Sequence, residues 1–309
     1  MPQPNSTRVA ALDLGTNTFL CLVADVDRDG LLRVVHDDAR VIRLGQGVDA
    51  SKRLHPDALD RAETCLREFE GIIRASGAER VIACATSAAR DAANVGELVA
   101  AGARHGIPIV VIDGNREAEL TYAGTVDAGI APGIAPEIAI VDVGGGSTEL
   151  IFGGPSGLTS RLSVDVGSVR LTERFLPTHP APPADVEAAR AWVRSRLQTV
   201  HPAAGRSVIA VAGTATTLAA LDLGLAFDAG LVDGHAMTVE RIHRWGARLA
   251  EASVEQRRRM AGMDAGRADV ILAGAICLEL ACAAIGAAEV RVSTRGLRYG
   301  IALKHGEFA

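Results

Sequence analysis

The chain has 309 residues, of which 48% are hydrophobic and 22% charged, and its formal net charge is −5. This balance is typical of a soluble globular protein of about two domains, and it provides no overall positive field that would attract nucleic acid. The only two lysines, Lys52 and Lys304, stand in contexts that argue against a Walker A loop and against Schiff-base chemistry.

Cysteine usage and hydropathy indicate a reduced, cytoplasmic setting. The five cysteines form no CxxC pair and mostly lie in apolar runs, which predicts buried free thiols rather than a zinc site. The N-terminus has no signal-peptide pattern. The apolar run Val270–Ala288 is long enough to span a bilayer, but it carries Glu279 near its centre. We therefore expect a buried helix there and no membrane partner.

The first part of the chain predicts a mixed α/β domain, in which three antiparallel strands are followed by strand–helix units. A turn at Asp27–Gly30 separates the second and third strands. The predicted strands are Thr7–Leu14, Phe19–Val26, Leu31–Gly45, Glu79–Thr86 and Ile107–Asp113, and the predicted helices are His55–Gly77, Ser87–Gly106 and Asn115–Gly129.

The second part repeats this opening after a Pro/Gly-rich linker at Gly129–Pro136. "LDLGTNTFLCLVA" matches "VDVGGGSTELIFG": each has an Asp after a strand, a Gly/Thr/Ser turn and another strand. Two matching openings predict a duplicated domain. The later predicted elements are strands at Glu137–Gly154, Gly157–Gly167 and Ser207–Gly213, and helices around Ala184–Val200 and Thr214–Leu223.

The two Asp-x-Gly turns are the main chemical signal. Glycine allows close approach of backbone N–H groups to an anion, and an aspartate at a strand end suits a hard cation such as Mg²⁺. Ordinary hairpin turns are the alternative, but two copies in matching positions favour phosphate binding. The turns join strand to strand, so they are neither a P-loop nor a Rossmann fingerprint. The loop residues are Asp13, Gly15, Thr16, Asn17 and Thr18 in the first copy, and Asp142, Gly144, Gly145, Gly146, Ser147 and Thr148 in the second.

Five segments in this order resemble the exopolyphosphatase / guanosine pentaphosphate phosphohydrolase (Ppx/GppA) family. They are "ALDLGTNTFLCLVADV", "ATSAARDAANVGEL", "IDGNREAELTYAG", "VDVGGGSTEL" and "VAGTATTLAAL", and the resemblance runs from about Val9 to Ile301. It implies a short form with two duplicated ribonuclease H-like domains of the acetate and sugar kinase/Hsp70/actin fold, with a cleft between them. The expected domains are residues 1–127, completed by a C-terminal helix at 295–309, and residues 128–294. Many family members have an acidic residue where Tyr299 stands.

The resemblance also implies residue roles. Glu117 matches the catalytic glutamate that activates water, and Glu149 a carboxylate that positions this water. Asp142 and its counterpart Asp13 match the site of Mg²⁺ or Mn²⁺, and Arg90 an arginine that reaches the phosphate chain. Gly213 and Thr214 resemble a segment that contacts a nucleotide in the wider fold, and they rank below the other candidate site residues. The glycine loops would hold the phosphates.

The implied activity is metal-dependent hydrolysis of the terminal phosphate of inorganic polyphosphate. The alternatives are a guanosine pentaphosphate 5′-phosphohydrolase using the same site, a kinase of the same fold, and a non-catalytic sensor of polyphosphate or alarmone. A homodimer is a family-level expectation. Outside the resemblance, His235 is expected to be structural. The run Arg257–Arg259 is expected to form a solvated helix face, with a binding track for a polyanion as the alternative.

Overall fold

The computed structural model describes residues 6–127, 137–154, 156–201 and 205–308. The chain divides into two compact units, Met1–Ile130 with Arg295–Ala309, and Ala131–Thr294. The linker predicted at Gly129–Pro136 lies outside the described residues. Each unit has its own sheet and its own buried apolar core.

The first unit contains a five-stranded sheet of order β3-β2-β1-β4-β5. The first three strands pair antiparallel, whereas β4 and β5 continue parallel to β1. Strand β1 is flanked on both sides and its apolar residues are buried, which explains its almost continuous apolar sequence. The predicted strands are confirmed with these bounds: β1 Ser6–Leu14, β2 Thr18–Asp27, β3 Leu32–Val41, β4 Arg80–Ala85 and β5 Ile109–Val111.

Two helices of the first unit, α2 and α5, have clear capping signals. The longest one has Pro56 at its first position and ends at Gly77, whose φ of 68° suits a residue without a Cβ. The helix after β5 begins at Asp113, whose side chain accepts a 2.8 Å hydrogen bond from the N–H of Arg116. The helices are α1 Val48–Ser51, α2 Pro56–Ser76, α3 Ser87–Asp91, α4 Val95–Arg104 and α5 Gly114–Tyr122, which continues into a π-helical turn at Ala123–Asp127.

One helix predicted over Ser87–Gly106 is wrong, because the structure has two helices there, α3 and α4. Tertiary hydrogen bonds cause the break. The Asn94 side chain accepts from the N–H of Leu54 at 2.7 Å and donates to the carbonyl of Leu54 at 3.2 Å. The N–H of Ala93 donates to the carbonyl of Lys52. These partners lie 40 and 41 residues away in the sequence, so local periodicity does not reveal them.

The second unit repeats the first sheet and adds one strand. Its order is β10-β11-β9-β6-β7-β8. Three antiparallel strands, β6 to β8, are followed by β9 and β11 in parallel, and β10 pairs antiparallel with β11. The shared order confirms the predicted duplication. The bounds are β6 Ile138–Val143, β7 Thr148–Gly154, β8 Gly157–Val164, β9 Ser207–Val211, β10 Ala236–Thr238 and β11 Glu289–Val292.

The helices of the second unit surround an almost wholly apolar central helix, α12, which confirms the buried helix predicted in this region. Its one carboxylate, Glu279, accepts a 2.8 Å hydrogen bond from Arg190 and lies 3.2 Å from Nδ1 of His243. Among the described residues, no helix is long and apolar enough to cross a membrane. The helices are α6 Ser168–Phe175, α7 Pro183–Arg196, α8 Ala212–Leu223, α9 Ala229–Val232, α10 Val239–Ala250, α11 Val254–Arg258 and α12 Ile271–Ala284. Of these, α6, α9, α10 and α11 were not predicted from the sequence.

Arg257 corrects the expectation of a solvated arginine run. Its side chain is fully buried, donating to the carbonyls of Leu249 at 2.8 Å and Ala268 at 3.1 Å. Burial lowers the pKa of Arg257 to about 10. Arg258 and Arg259 do pair with a carboxylate, Glu255, at the surface. All five cysteines are buried free thiols, as predicted.

The C-terminal helix α13, Leu297–Leu303, belongs to the first unit and packs against α5. The approach is close enough that a Cβ on Gly300 would lie 1.8 Å from the carbonyl oxygen of Leu120. A 3₁₀ turn at His305–Phe308 follows, and Arg116 of α5 pairs with Glu307 there. The end of the chain therefore braces the helix that carries Glu117.

Candidate active site

The two glycine loops are four-residue hairpin turns of the same design. In the first, Asp13 lies opposite Leu20, and the N–H of Gly15 donates to the carbonyl of Thr18 at 3.1 Å. In the second, Asp142 lies opposite Glu149, and the N–H of Gly144 donates to the carbonyl of Ser147 at 3.0 Å. Each aspartate therefore occupies the same position, two residues before the first glycine of its loop.

Helix α6 holds the carbonyl groups of the second loop. The N–H of Ser168 donates to the carbonyl of Gly144, and those of Val169 and Arg170 donate to the carbonyl of Gly145, at 2.8–3.1 Å. The side chain of Arg170 donates through Nε to the carbonyl of Gly146 at 2.8 Å.

Because the loop carbonyls are bonded in this way, the backbone groups of the loop that remain without a partner are N–H donors. Within the described part of the chain, the N–H groups of Gly145 and Gly146 have no hydrogen-bond partner. Successive unpartnered backbone donors are the feature that makes a loop bind anions. Two of the three glycines of "VDVGGGSTEL" therefore have the open backbone donors that an anion-binding turn requires.

The first loop is held in the same way by the chain that follows β3. The N–H of Gly45 donates to the carbonyl of Thr16 at 2.8 Å, and those of Ile42 and Arg43 donate to the carbonyl of Asn17 at 2.9 and 2.8 Å. The Asn17 side chain is 5% exposed, and its Nδ2 has no partner among the described residues. A buried amide donor without a protein partner can donate to a water molecule or to a ligand oxygen.

Two carboxylates stand side by side at the base of the second loop. Asp142 is 8% and Glu149 1% exposed, and opposite residues of an antiparallel pair share one face of the sheet. Ser163 donates its hydroxyl to Oε1 of Glu149 at 2.8 Å. Like charges in this arrangement are destabilising, so a cation between them or beside them would be favourable.

This pair fits a Mg²⁺ ion that takes one or two protein carboxylates and completes its shell with water and phosphate oxygens. It does not form a dedicated metal cage. Among the residues described, no group of three or more His, Cys, Asp or Glu side chains could hold a metal ion. A Mg²⁺ ion bound here would take part of its coordination from phosphate oxygens of the substrate.

In the first unit, Glu117 and Arg90 form a buried ion pair. Glu117 lies in the first turn of α5 and is 8% exposed. Its Oε2 accepts from Nη1 of Arg90 at 2.6 Å, and the same nitrogen donates to the carbonyl of Ile112 at 3.0 Å. Burial raises the pKa of the Glu117 carboxyl, against the opposing effect of Arg90. A fixed carboxylate with a raised pKa has the properties of a general base.

Other residues singled out from the sequence use their hydroxyls within the protein. The Thr148 hydroxyl donates to the carbonyl of Val166 at 2.6 Å, and that of Thr214 to the carbonyl of Val143 at 3.3 Å. Gly213 leaves room for the guanidinium of Arg267, which a Cβ there would approach to 2.0 Å. Sequence reasoning missed Arg170, which has no local signal because its partner is a backbone carbonyl 24 residues earlier.

Comparison with known proteins confirms the family resemblance. The model of the Ppx/GppA phosphatase family matches residues 22–306. The chain belongs to this family. Exopolyphosphatase 2 of Mycobacterium tuberculosis is 39% identical over 315 residues, covering 96% of this chain and 98% of that protein.

Solved structures of the Ppx/GppA phosphatases have the same fold. An exopolyphosphatase-like protein superposes with a TM-score of 0.92 at 32% identity, covering 98% of this chain and 99% of the other. The Aquifex aeolicus family member gives 0.79 at 29% identity and 98% coverage of both chains. The expected fold, two duplicated actin-like domains, is therefore confirmed, and this Ppx/GppA phosphatase is a phosphoric anhydride hydrolase.

Proposed function

We propose that this Ppx/GppA phosphatase is an exopolyphosphatase, which hydrolyses the terminal phosphate of inorganic polyphosphate. The observation that carries the proposal is the second glycine loop, where α6 binds the carbonyls of Gly144, Gly145 and Gly146 and backbone N–H donors remain. The similarity to Exopolyphosphatase 2 over nearly the whole of both chains supports the same substrate.

The glycine loops are proposed to hold phosphate oxygens. In the second loop, the N–H groups of Gly145 and Gly146 would act as donors, with Ser147 beside them. In the first loop, the unpartnered amide of Asn17 would do so. Such preorganised donors stabilise the negative charge that develops on the phosphoryl oxygens in the transition state.

Asp142 is proposed to hold the divalent cation, Mg²⁺ or Mn²⁺, in the second unit, and Asp13 has the corresponding role in the first. When bound, the ion supplies Lewis-acid charge neutralisation at the phosphate oxygens. Glu149, fixed by Ser163 at 2.8 Å, would orient the water.

Glu117 is proposed as the base that accepts the proton of the attacking water. Its burial raises the pKa of its carboxyl toward the working pH, where a base is most effective. Arg90 fixes the carboxylate through the 2.6 Å bond, and a guanidinium also offers donors to phosphate.

The test is phosphate release from long-chain polyphosphate with Mg²⁺, comparing the Glu117→Gln variant with the wild type. We expect kcat to fall by about 10²–10⁴-fold, the usual contribution of a positioned base. Glu119→Gln is the matched control, because Glu119 lies on the same helix and pairs with Arg116 at 3.3 Å. Unchanged turnover in a folded Glu117→Gln variant would reject the base.

Guanosine pentaphosphate is tested as a second substrate in the same phosphate-release assay. Release from the nucleotide alone would assign the alarmone activity instead, and binding of polyphosphate without release from either substrate would assign a sensor.

The assembly we propose for this enzyme is a homodimer in the cytoplasm. Light scattering on the purified protein tests the oligomeric state, and a monomer mass at working concentration would contradict it.

A further inference from the structure

Two arginines of the second unit converge on one tryptophan. The guanidinium carbon of Arg174, on α6, lies 5.0 Å from the centre of the Trp192 ring, and that of Arg196, on α7, lies 5.3 Å from it. We call these three residues the Trp192 patch. Both arginines are exposed, and Trp192 is half-buried.

The tryptophan is a rigid platform. Its ring packs against Phe175 at 5.6 Å between centres, and both aromatic residues pack on the apolar core of the second unit. The ring face attracts both cations and offsets part of their mutual repulsion. Two guanidinium groups thus lie against one ring at the surface, where each can donate to phosphate oxygens.

The charge around the patch differs from that of the whole chain. Residues 168–201 contain five arginines and three carboxylates, whereas the formal net charge of the protein is −5. Arg194, also on α7, pairs with Glu187 at 3.0 Å. Arg196 has no carboxylate partner within the described residues, so its charge remains available.

Helix α6 connects this patch to the glycine loop. Arg170 donates to the carbonyl of Gly146, and Arg174 follows one helical turn later, about 6 Å along the axis. Residues four apart lie on neighbouring positions of one helix face. A linear polyanion anchored at the loop would therefore pass the patch if it follows α6.

We propose that the Trp192 patch is a second binding site for polyphosphate, which holds internal phosphates of a long chain while the terminal phosphates occupy the glycine loop. This proposal rests on the proposed exopolyphosphatase function. Longer chains gain more from the patch than tripolyphosphate does, because more of their phosphates lie beyond those bound at the loop.

The kinetic test compares the double variant Arg174→Gln/Arg196→Gln with the control Arg194→Gln. We expect the KM for long-chain polyphosphate to rise about three- to tenfold, as for the loss of two exposed charge-assisted contacts. The KM for tripolyphosphate changes less, so the ratio of the two KM values rises. The KM for long chains also becomes less sensitive to salt. An unchanged ratio, or an equal rise in the control, would overturn the proposal.

Equilibrium binding of long-chain polyphosphate, with a chelator present to prevent turnover, tests the patch independently of catalysis. The double variant should bind about three- to tenfold more weakly than the control. Equal affinities would reject the patch whatever the enzyme hydrolyses. If the wild type binds polyphosphate but releases no phosphate from it, the proposed function fails while this binding comparison still decides the patch.

Discussion

The two glycine loops share one backbone design but differ in chemistry. Each has an aspartate two residues before its first glycine, and in each the chain after the third strand holds the loop carbonyls. The residue opposite that aspartate differs: it is Leu20 in the first loop and Glu149 in the second. The second loop also replaces Thr16 and Asn17 with glycines.

The two loops therefore offer different groups to a ligand. The first loop presents side-chain donors, including the unpartnered amide of Asn17, and it has one carboxylate. The second presents backbone N–H groups and has two adjacent carboxylates, Asp142 and Glu149. We infer that the second loop carries more of the charge stabilisation. Two experiments test this contrast, and two more test the packing and the pH-dependent stability of the unit that carries the first loop.

The largest expected effect is at the position that differs. Glu149→Gln removes the second carboxylate but keeps the shape, and kcat should fall by about 10²–10³-fold because the water loses its orienting group. Steady-state phosphate release measures this. The equivalent change in the first loop, Leu20→Gln, should alter kcat by less than about threefold. Equal losses in both variants would contradict the division of work.

The second test adds a methyl group to a glycine that packs against each loop. A Cβ at Gly167 would lie 2.4 Å from the backbone of Gly145, so Gly167→Ala must shift the second loop. A misplacement of about 1 Å can cost about 10²-fold in rate. At Gly45 the added Cβ meets the methyl group of Thr16 at 2.2 Å, a side chain that can rotate. We expect a smaller loss for Gly45→Ala, measured as kcat/KM, and the reverse order would refute the contrast.

The third test concerns the stability of the unit around the first loop. Gly300→Ala forces α13 away from the Leu120 carbonyl, and we expect the free energy of unfolding to fall by about 3 kcal/mol. Gly71→Ala is the control, since a Cβ there meets nothing within 4 Å. It should stabilise α2 by about 0.5–1 kcal/mol. Calorimetry measures both changes, and a Gly300→Ala protein as stable as the wild type would exclude the close packing.

The smallest effect is a pH dependence of the first unit. His105 lies 2.9 Å from both Glu70 and Glu63, and the hydrogen bond to Glu70 raises the pKa of His105 above 6.5. Its stabilising contribution is therefore complete below pH 6.5, the unfolded value, and is lost as the pH rises through the raised pKa of the folded state.

Urea unfolding at one pH below this range and at one above it measures how the free energy of unfolding depends on His105. His105→Gln should remove about 0.5 kcal/mol of stability at the lower pH and almost none at the higher. His201→Gln, at an exposed site of the second unit, is the control. A loss in the His105 variant that is equal at both pH values would show that His105 acts by packing rather than by charge.

Much of the fold could be predicted from the sequence, since apolar periodicity, turn residues and caps are local. Strands β1 to β9 and helix α2 follow from these signals, and the repeated "LDLG" and "VDVG" openings predicted the duplication, whereas the short strands β10 and β11 were not predicted. Helix α6 was missed, and Ser87–Gly106 was predicted as one helix, because Asn94 binds Leu54 far away in the chain.

The candidate site could also be predicted only in part from the sequence. The aspartates and glycines could be identified from the sequence, because few other residues suit a hard cation and a close approach of phosphate to the backbone. The pairing of Asp142 with Glu149 depends on strand register, and that of Glu117 with Arg90 on the packing of two helices. The catalytic and binding roles of these residues stay predictions.

Residue type, spacing and repetition thus determined by themselves where the two loops lie and that the chain contains two related sheets. Tertiary structure alone decided which backbone groups of those loops remain open to a ligand, through Arg170 and α6 in one unit and Gly45 in the other. It also buried Arg257, which its neighbours in the sequence had suggested was exposed. The physical reason is that hydrogen bonds and desolvation depend on distances in space, which a linear pattern of residues does not contain.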